Sequence, residues 1–451
     1  VFFFRPSFFP AMEGGEAQAS KKLVPSQVLC PSGEVLQFEA EATCSIACIK
    51  DLVCGHLDTP ASCHKLVAGI SVLGDEDVLQ DLLSSPTARL ELKLMPSLTK
   101  VNAVLLSVEA SEASKIEAVR ALGHLGGARS DRVFHILLRE LDGRCPASSQ
   151  AAGEALLKIA EPGHEVLALE MQNRLASPVE FVRRTAVDVL GRVVELGVGN
   201  AVSELVVRLD QRQAYATCAV LEALAAVARR GDAGVVEAVC ERAEDVDASV
   251  RRTALTTLAQ VAEPGDRSTI AVIIGRFNDS DALVRETAVG VIAGRPRGGD
   301  GSAFLLERLL VVLHISGADG RCSAVRALAK VATREDRHVI YAVVRHLEDR
   351  DAAVRVAAVA ALGGGLVAPD DEEVVGLVAE RLASEVEIVR EAGRQALMEI
   401  VGKGDERINA HLAAPLQSKE RFVRWAAHDA LQFFAAGEAD ARLRSIGSGH
   451  R

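Results

Sequence analysis

One recurring pattern limits the fold of this chain more than any other feature of its sequence. From about residue 97, a helical stretch and a short acidic or serine turn are followed by Val-Arg-x-x-Ala-Val/Leu-x-x-Leu. The first position of this motif falls at residues 114, 148, 182, 216, 250, 284, 320, 354, 389 and 423, in steps of 34 to 36. Regular self-similarity of this length predicts a solenoid of about ten stacked helix pairs.

The residues around the motif indicate where each helix begins and ends. Asp247, Asp281 and Asp351 precede three of the second helices and suit the N-cap position, where a carboxylate accepts hydrogen bonds from free backbone N–H groups. Several first helices end in arginines spaced 34 apart, namely Arg174, Arg208, Arg242 and Arg276. Two glycine-rich segments, 294–301 and 363–372, lengthen the steps there, and we interpret them as tolerated loop irregularities.

The chain before residue 108 has a different composition, with seven of the 14 prolines and five of the nine cysteines. Leu36, Phe38 and Ala40 alternate with polar residues, which predicts a half-buried strand. Segment 28–40 therefore indicates a strand, a Pro-Ser-Gly turn and a second strand. A helix capped by Ser45 is expected next, and then strands at 66–69 and 90–94.

This order of hairpin, helix and strands resembles that of ubiquitin-like domains, which have the β-grasp fold. The resemblance covers residues 24 to 95, and the Thr59-Pro60 turn matches a turn of the family. The matching core positions are Leu36, Phe38, Ala40, Ile46, Ile49, Val53, Leu66, Leu73, Leu79, Leu90 and Leu92.

The resemblance also implies differences in function. Ubiquitin-like modifiers end in a Gly-Gly tail, whereas this chain continues through Met95, Pro96 and Ser97, so we expect a fused module. The apolar recognition patch of the family corresponds here to Pro31, Val67, Glu91 and Lys93. Val67 alone keeps the apolar character, and it is our candidate protein-binding residue in this module.

The Asp-x-x-Val-Arg-x-x-Ala core of the repeats resembles the short HEAT-like repeats of the phycobilisome-lyase type. The same period occurs in TPR arrays, but those need aromatic residues that this segment lacks. The predicted fold class is thus an α+β, β-grasp N-terminal domain followed by an all-α HEAT-like solenoid. The expected domains are an N-terminal tail at 1–23, the ubiquitin-like module at 24–96, the solenoid at 97–437 and a C-terminal tail at 438–451. Within the N-terminal tail, we interpret residues 1–11 as an extension that precedes a natural start at Met12.

A row of basic residues follows the first position in most repeats. In a stacked array these side chains would form one ridge and could bind an acidic protein partner. The alternative is that they stabilise the stack, which we favour because Asp247, Asp281, Asp351 and Glu420 lie four residues before their arginines. The row contains Lys115, Arg183, Arg251, Arg285, Arg321, Arg355, Arg390 and Arg424.

Two groups of residues are candidates for metal binding. HEAT-like deoxyhypusine hydroxylases bind two irons through His-Glu pairs, and this chain has one such pair, His164-Glu165, which we interpret as the start of a helix. Cys44, Cys48, Cys54, Cys63 and His64 lack the paired spacing of a zinc site. The sequence therefore predicts no catalytic residue, no metal ligand and no cofactor.

The formal net charge of −11 opposes general binding to nucleic acid or anionic membranes. The longest uncharged run, 356–369, is shorter than a membrane helix. We expect a monomeric, non-enzymatic scaffold for protein partners in the cytoplasm, with the nucleus as the second location. The alternatives are a HEAT-like oxidoreductase or phycobilin-type lyase and, last, a weak nucleic-acid binder acting through the arginine row.

Overall fold

A computed structural model describes most of the chain. The described residues are 2–4, 23–30, 35–56, 61–68, 71–82, 90–107, 110–125, 131–143, 145–160, 164–195, 201–295, 300–401 and 408–432. They divide into two compact units, Val1–Val227 and Ala228–Arg451. The predicted turn at Pro31–Gly33 and the predicted C-terminal tail lie outside the described residues.

The first unit begins with a mixed six-stranded sheet in the order β1-β3-β2-β6-β4-β5. Strands β2 and β3 form an antiparallel hairpin, β2 and β6 run parallel, and β4 pairs antiparallel with both β6 and β5. The strands are β1 (Phe2–Phe4), β2 (Leu23–Leu29), β3 (Val35–Glu41), β4 (His64–Ala68), β5 (Ser71–Val72) and β6 (Leu90–Pro96).

Helix α1 (Ile46–His56) covers one face of this sheet, and the short helix α2 (Leu79–Leu82) precedes β6. Ser45 accepts a hydrogen bond from the N–H of Cys48, as expected for the cap of α1. The core between α1 and the sheet contains every predicted core residue whose side chain is described, that is, all of them except Leu90. The alternating pattern of β3 therefore predicted correctly which face of the hairpin is buried.

Strand β6 leads directly into the first helix of the repeats, α3 (Leu98–Leu106). Ser97 caps α3 and donates its own backbone N–H to the carbonyl of Cys63 at 2.8 Å. Asp75 pairs with the buried Lys50 of α1 and, at 3.5 Å, with Lys100 of α3. The boundary expected between residues 96 and 97 therefore lies inside the first compact unit.

The segment expected to be a tail before the module is described only in part. Phe2–Phe4 form the edge strand β1, parallel to β3, and Leu23 already belongs to β2. Residues 5–22 lie outside the described part of the chain.

Four helix pairs follow the sheet in the first unit. They are α3 with α4 (Glu112–Leu125), α5 (Asp131–Leu141) with α6 (Pro146–Ile159), α7 (Glu165–Arg174) with α8 (Glu180–Glu195), and α9 (Ala201–Val207) with α10 (Ala214–Val227). The second helices α4, α6, α8 and α10 pack on one another in sequence order.

Six more pairs make up the second unit, where the second helices again pack on one another. They are α11 (Ala233–Arg242) with α12 (Ala248–Val261), α13 (Arg267–Gly275) with α14 (Ala282–Ala293), α15 (Asp300–Ile315) with α16 (Ala318–Val331), α17 (Arg337–Arg345) with α18 (Ala352–Ala361), α19 (Glu372–Glu380) with α20 (Glu387–Val401), and α21 (Ile408–Leu416) with α22 (421–432).

The repeat register predicted from the sequence is confirmed in all ten pairs. Each second helix begins two residues before the predicted first position, from Glu112 for position 114 to residue 421 for position 423. The motif alanines, such as Ala186, Ala254 and Ala288, are fully buried, so adjacent second helices can approach closely. Among the described residues, no helix is both long and apolar enough to cross a membrane.

The step of 35 residues has a visible cause. After α18 the chain makes a π-helical turn at Leu362–Leu366, where Gly365 has a φ of 99°. This conformation strains any residue with a Cβ, so glycine is required there. The extra residue is absorbed in this turn, and the next pair resumes the register.

Candidate functional site: the two arginine rows

In seven repeats, the arginine that follows the first motif position binds the turn that precedes its own helix. Nη1 of Arg285 donates to the carbonyls of Asp279 and Ser280 at 2.7 and 3.3 Å, and Nη1 of Arg355 to those of Asp349 and Arg350 at 2.9 and 3.1 Å. We call the following residues, which share this contact, the forward arginines: Arg183, Arg251, Arg285, Arg321, Arg355, Arg390 and Arg424.

The turn itself is built by two polar residues in fixed positions. In the fifth repeat pair of the array, Asp247 is the N-cap of α12 and accepts the N–H of Ser249 at 2.7 Å. Asp245, two residues earlier, accepts the N–H of Asp247 at 2.9 Å. Asp279 and Asp281 repeat this arrangement before α14. The expected N-caps Asp247, Asp281 and Asp351 are therefore confirmed.

Two forward arginines, Arg251 and Arg321, form bidentate ion pairs with a carboxylate of the next repeat. Nε and Nη2 of Arg251 donate to the two carboxylate oxygens of Asp279 at 2.8 and 2.6 Å. Arg321 binds Asp349 in the same way, at 2.8 and 2.7 Å. The side chains of Arg251 and Asp279 are only 10% and 5% exposed. Such planar, charge-assisted pairs are among the strongest hydrogen-bonded contacts in proteins.

Three other forward arginines contact a different residue of the next repeat, the one just before its motif position. Arg183 lies over the ring of Tyr215, with 4.7 Å between the guanidinium carbon and the ring centroid, and Arg390 lies over Phe422 at 4.8 Å. Arg285 pairs with Asp319 at 3.4 Å. Five of the forward arginines thus join successive repeats, either through an ion pair or through a cation–π contact.

The buried carboxylates in this row are held in the charged form. Burial alone would raise the pKa of Asp279, but the Arg251 guanidinium and the N–H of Asp281 lower it below its ordinary value. Asp349 behaves alike: burial opposes ionisation, yet Arg321, the N–H of Asp351 and His346 lower its pKa strongly. In return, the hydrogen bonds that Arg251 donates to Asp279 raise the pKa of Arg251.

These contacts correct one expectation from the sequence. The acidic residues four positions before the arginines were expected to pair with them, but Asp247, Asp281 and Asp351 cap helices instead. The carboxylates that bind Arg251 and Arg321 lie 28 residues after them, in the turn of the next repeat. The signal was present as Asp-x-Asp before the motif at 245–247, 279–281 and 349–351.

A second row of arginines points to the preceding repeat, and we call its members the backward arginines. Arg174 at the end of α7 binds both oxygens of Asp142 at 2.9 and 2.8 Å, and also Glu170. The equivalent contacts of the other members are Arg208 with Asn173, Arg276 with Ala243 and Glu244, and Arg381 with Glu348. Arg174, Arg208, Arg276 and Arg381 therefore connect their repeats to the preceding ones.

Val67, the candidate residue of the N-terminal module, lies on the face of the sheet that is opposite to α1. It faces a shallow pocket of about 310 Å³ with Leu29, Val35, Glu91 and Lys93. Gln27 donates to Glu91 at 2.7 Å beside it. The structure thus brings Val67, Glu91 and Lys93 onto one surface, whereas Pro31 lies outside the described residues.

The candidate metal-binding residues make other contacts in the structure. His164 is the N-cap of α7: its Nδ1 accepts the N–H of Leu167 at 3.1 Å, and its ring stacks on Phe134. In the module, burial and the neighbouring Cys48 thiol raise the pKa of Cys44 to about 12. Within the part of the chain that the structure describes, no three His, Cys, Asp or Glu side chains cluster in a way that could hold a metal ion.

Comparison with known proteins bears on the fold. Neither a protein-family model nor a curated protein sequence matches this chain. Its structure is similar to that of the karyopherin Kap121p bound to the extreme C-terminus of the protein phosphatase Cdc14p, with a TM-score of 0.50 and 14% identity. Kap121p bound to the SUMO protease Ulp1p gives the same values. Each match covers 74% of this chain and 41% of the karyopherin, so the chain spans well under half of that protein's length.

These neighbours are HEAT-repeat solenoids, and the helix pairs of this chain form a HEAT-like array of the same kind. At 14% identity the similarity extends to the fold alone.

Proposed function

We propose that this chain is a non-enzymatic scaffold that binds protein partners through its HEAT-like repeats. The observation that supports this most is the use of both arginine rows. Their guanidinium groups are engaged with turns and carboxylates of their own and adjacent repeats, so they stabilise a stack of helix pairs. A stack fixed in this way offers an extended surface of second helices to a partner.

The structural neighbours support the same proposal. In those structures Kap121p is bound to the extreme C-terminus of a phosphatase and to a protease, which are both proteins. By analogy of fold, we propose that protein segments are also the ligands here. Nucleic acid fits less well, because the net charge is −11 and the forward arginines have partners within the chain.

We further propose that residues 24–96 form a ubiquitin-like domain fused to repeats of the phycobilisome-lyase type. The strand order β3-β2-β6-β4-β5, with its parallel β2–β6 pair and with α1 on one face, supports this assignment. Val67 would then lie at the centre of a partner-binding surface with Glu91 and Lys93. The enzyme alternative gains no support from His164, whose ring caps a helix.

Capture experiments with the purified full-length chain test this function. We expect it to retain specific proteins from an extract of its source cells and to form complexes of defined stoichiometry by light scattering. Val67→Asp should remove the partners of the N-terminal module. Leu52→Asp, on the exposed side of α1, is the matched control and should retain them. Stoichiometric iron in the purified chain without any retained protein would contradict the proposal.

A further inference from the structure

A pocket of about 550 Å³ lies between the second helices α12 and α14 in the second unit. Its polar lining comes from Thr256 and Gln260 of α12, from Thr287 of α14 and from two arginines, Arg230 and Arg295. None of the described residues that line it is acidic, although the whole chain carries 62 acidic and 51 basic residues. The pocket is therefore locally positive in an acidic protein.

Arg295 breaks the repeat pattern at this point. It stands eleven residues after the motif position, where the other nine repeats carry an apolar residue or glycine. Those residues are Leu125, Ile159, Val193, Val227, Val261, Val331, Gly365, Ile400 and Phe434. Packing of the array needs an apolar side chain there, as the burial of Val193, Val261 and Ile400 shows. A guanidinium at this position departs from the regular apolar packing of the stack, and such local departures point to function.

The guanidinium groups of Arg230 and Arg295 are both held in place by backbone carbonyls, and each retains N–H donors that these hydrogen bonds do not use. Arg230 donates from Nε to Gln260 at 3.1 Å and from Nη2 to Ala259 at 3.3 Å. Arg295 donates from Nη1 to the carbonyl of Pro264, while its Nε is buried and has no partner among the described residues. A guanidinium has more N–H donors than these bonds use, so each can still bind an anion.

The charges around the pocket leave it open to an anion. Asp266, the nearest acidic group that acts on Arg295, is occupied as the N-cap of α13 by Ser268 and Thr269. Burial lowers the pKa of Arg295, against the effect of Asp266 and together with the charge of Arg230. Glu263 lies beside Gly231 in the same loop region. Unlike Arg251, Arg285 and Arg321, neither Arg230 nor Arg295 forms an ion pair with a described carboxylate.

Two glycines of the lining, Gly290 and Gly294, leave space for the pocket. Gly290 and Gly294 lie 34 residues after Thr256 and Gln260 and take the equivalent places on α14. A Cβ at Gly290 would meet no atom within 4 Å. The cavity is far larger than a single inorganic anion needs, and its apolar wall at Ala259 and Val291 suits the aliphatic part of an acidic side chain.

We infer that this pocket binds the carboxylate of a glutamate or aspartate side chain from a protein segment lying across α12 and α14. This inference rests on the proposed scaffold function and names the chemistry of one contact. Arg230 and Arg295 share the carboxylate, and their preformed orientation limits the entropy lost on binding. Phosphate is the other anion that the same donors would accept, and the test separates the two.

The test is binding of a fluorescein-labelled peptide of glutamates flanked by glycines to the full-length chain, followed by fluorescence anisotropy. We expect saturable binding that the matching glutamine peptide does not show. Arg295→Val, which restores the repeat consensus, and Arg230→Gln should each weaken binding about tenfold or more. Gly290→Leu should block the pocket without touching either arginine.

Arg334→Gln is the matched control, because Arg334 occupies the position of Arg230 in a later repeat and likewise donates to a backbone carbonyl, that of Gly365. It should leave binding unchanged. Unaltered binding in Arg295→Val and Gly290→Leu, or no binding of the glutamate peptide by the wild type, would overturn the inference. Binding of a labelled phosphoserine peptide that Arg295→Val weakens, without binding of the glutamate peptide, would assign the pocket to phosphate instead. Partner capture that survives in these variants would leave the scaffold function standing while this inference fails.

Discussion

At the scale of single residues, one carboxylate in the turn of a repeat serves two purposes. Asp279 accepts the N–H of Asp281, which shapes the turn, and it also binds the guanidinium of Arg251 from the preceding repeat. Asp349 does the same for Asp351 and Arg321. Because these carboxylates are buried, their charge is stable only while both sets of donors are present.

This arrangement makes the stability of the second unit sensitive to acid. The folded-state pKa of Asp279 and Asp349 is lowered, so their contribution is present above the unfolded pKa of about 4 and is lost as the pH falls below it. We expect Asp279→Asn to be less stable at pH 7 but to lose less stability between pH 5 and pH 3. Urea unfolding across this pH range measures the free energy of unfolding of both proteins. Parallel pH profiles for variant and wild type would refute the contribution of Asp279 to acid sensitivity.

Two helical glycines should respond in opposite ways to the same substitution. A Cβ on Gly320 would collide with the side chains of Asn278 and Ser316, whereas a Cβ on Gly290 meets open space. Gly290→Ala should therefore stabilise by about 0.5–1 kcal/mol through helix propensity. Gly320→Ala should destabilise by roughly 1–3 kcal/mol through overpacking. Thermal unfolding of both variants measures these changes in stability. Higher stability in both variants would contradict the prediction and show that the turn at Asn278 adapts freely.

At the scale of elements, the sequence predicts what depends on local pattern. The spacing of motif valines and alanines gave the register of all ten second helices, because each helix must bury the same face. The alternation in β3 gave the buried face of the sheet. The partners of the arginines were missed, since they depend on how a turn approaches a side chain 28 residues earlier. The Arg295 pocket was likewise missed: Arg295 departs from an apolar repeat position, but the sequence alone does not show that space opens beside it at Gly290 and Gly294.

The junction between the sheet and the first repeat provides a test at this scale. Helix α3 packs against the 3₁₀ turn Ala61–Cys63, and Lys100 pairs with Asp75. A fragment of residues 24–107, which includes α3, should therefore unfold at a higher temperature than a fragment of residues 24–96. Circular dichroism melts compare the two directly. Equal midpoints would mean that the module is independent of the first helix, as the sequence boundary suggested.

At the scale of the molecule, a repeat array is stable because neighbouring pairs stabilise one another. In the second unit this coupling has a polar part: Arg251 and Arg321 reach forward into the next repeat, while Arg276 and Arg381 reach back. If these contacts hold the stack together, the forward arginines are structural residues. If they serve a partner instead, their removal should leave the stack intact.

The most direct test compares forward arginines that differ in their contacts. The contacts described for Arg355 are to carbonyls of its own turn, whereas Arg251 and Arg321 also form buried ion pairs with the next repeat. Arg251→Ala and Arg321→Ala should each cost roughly 3–5 kcal/mol, because they leave a carboxylate buried without its partner. Arg355→Ala should cost about 1–3 kcal/mol. Urea unfolding should show this order, with a less cooperative transition in the first two variants. Wild-type midpoints in all three would contradict the account and make the row a binding ridge.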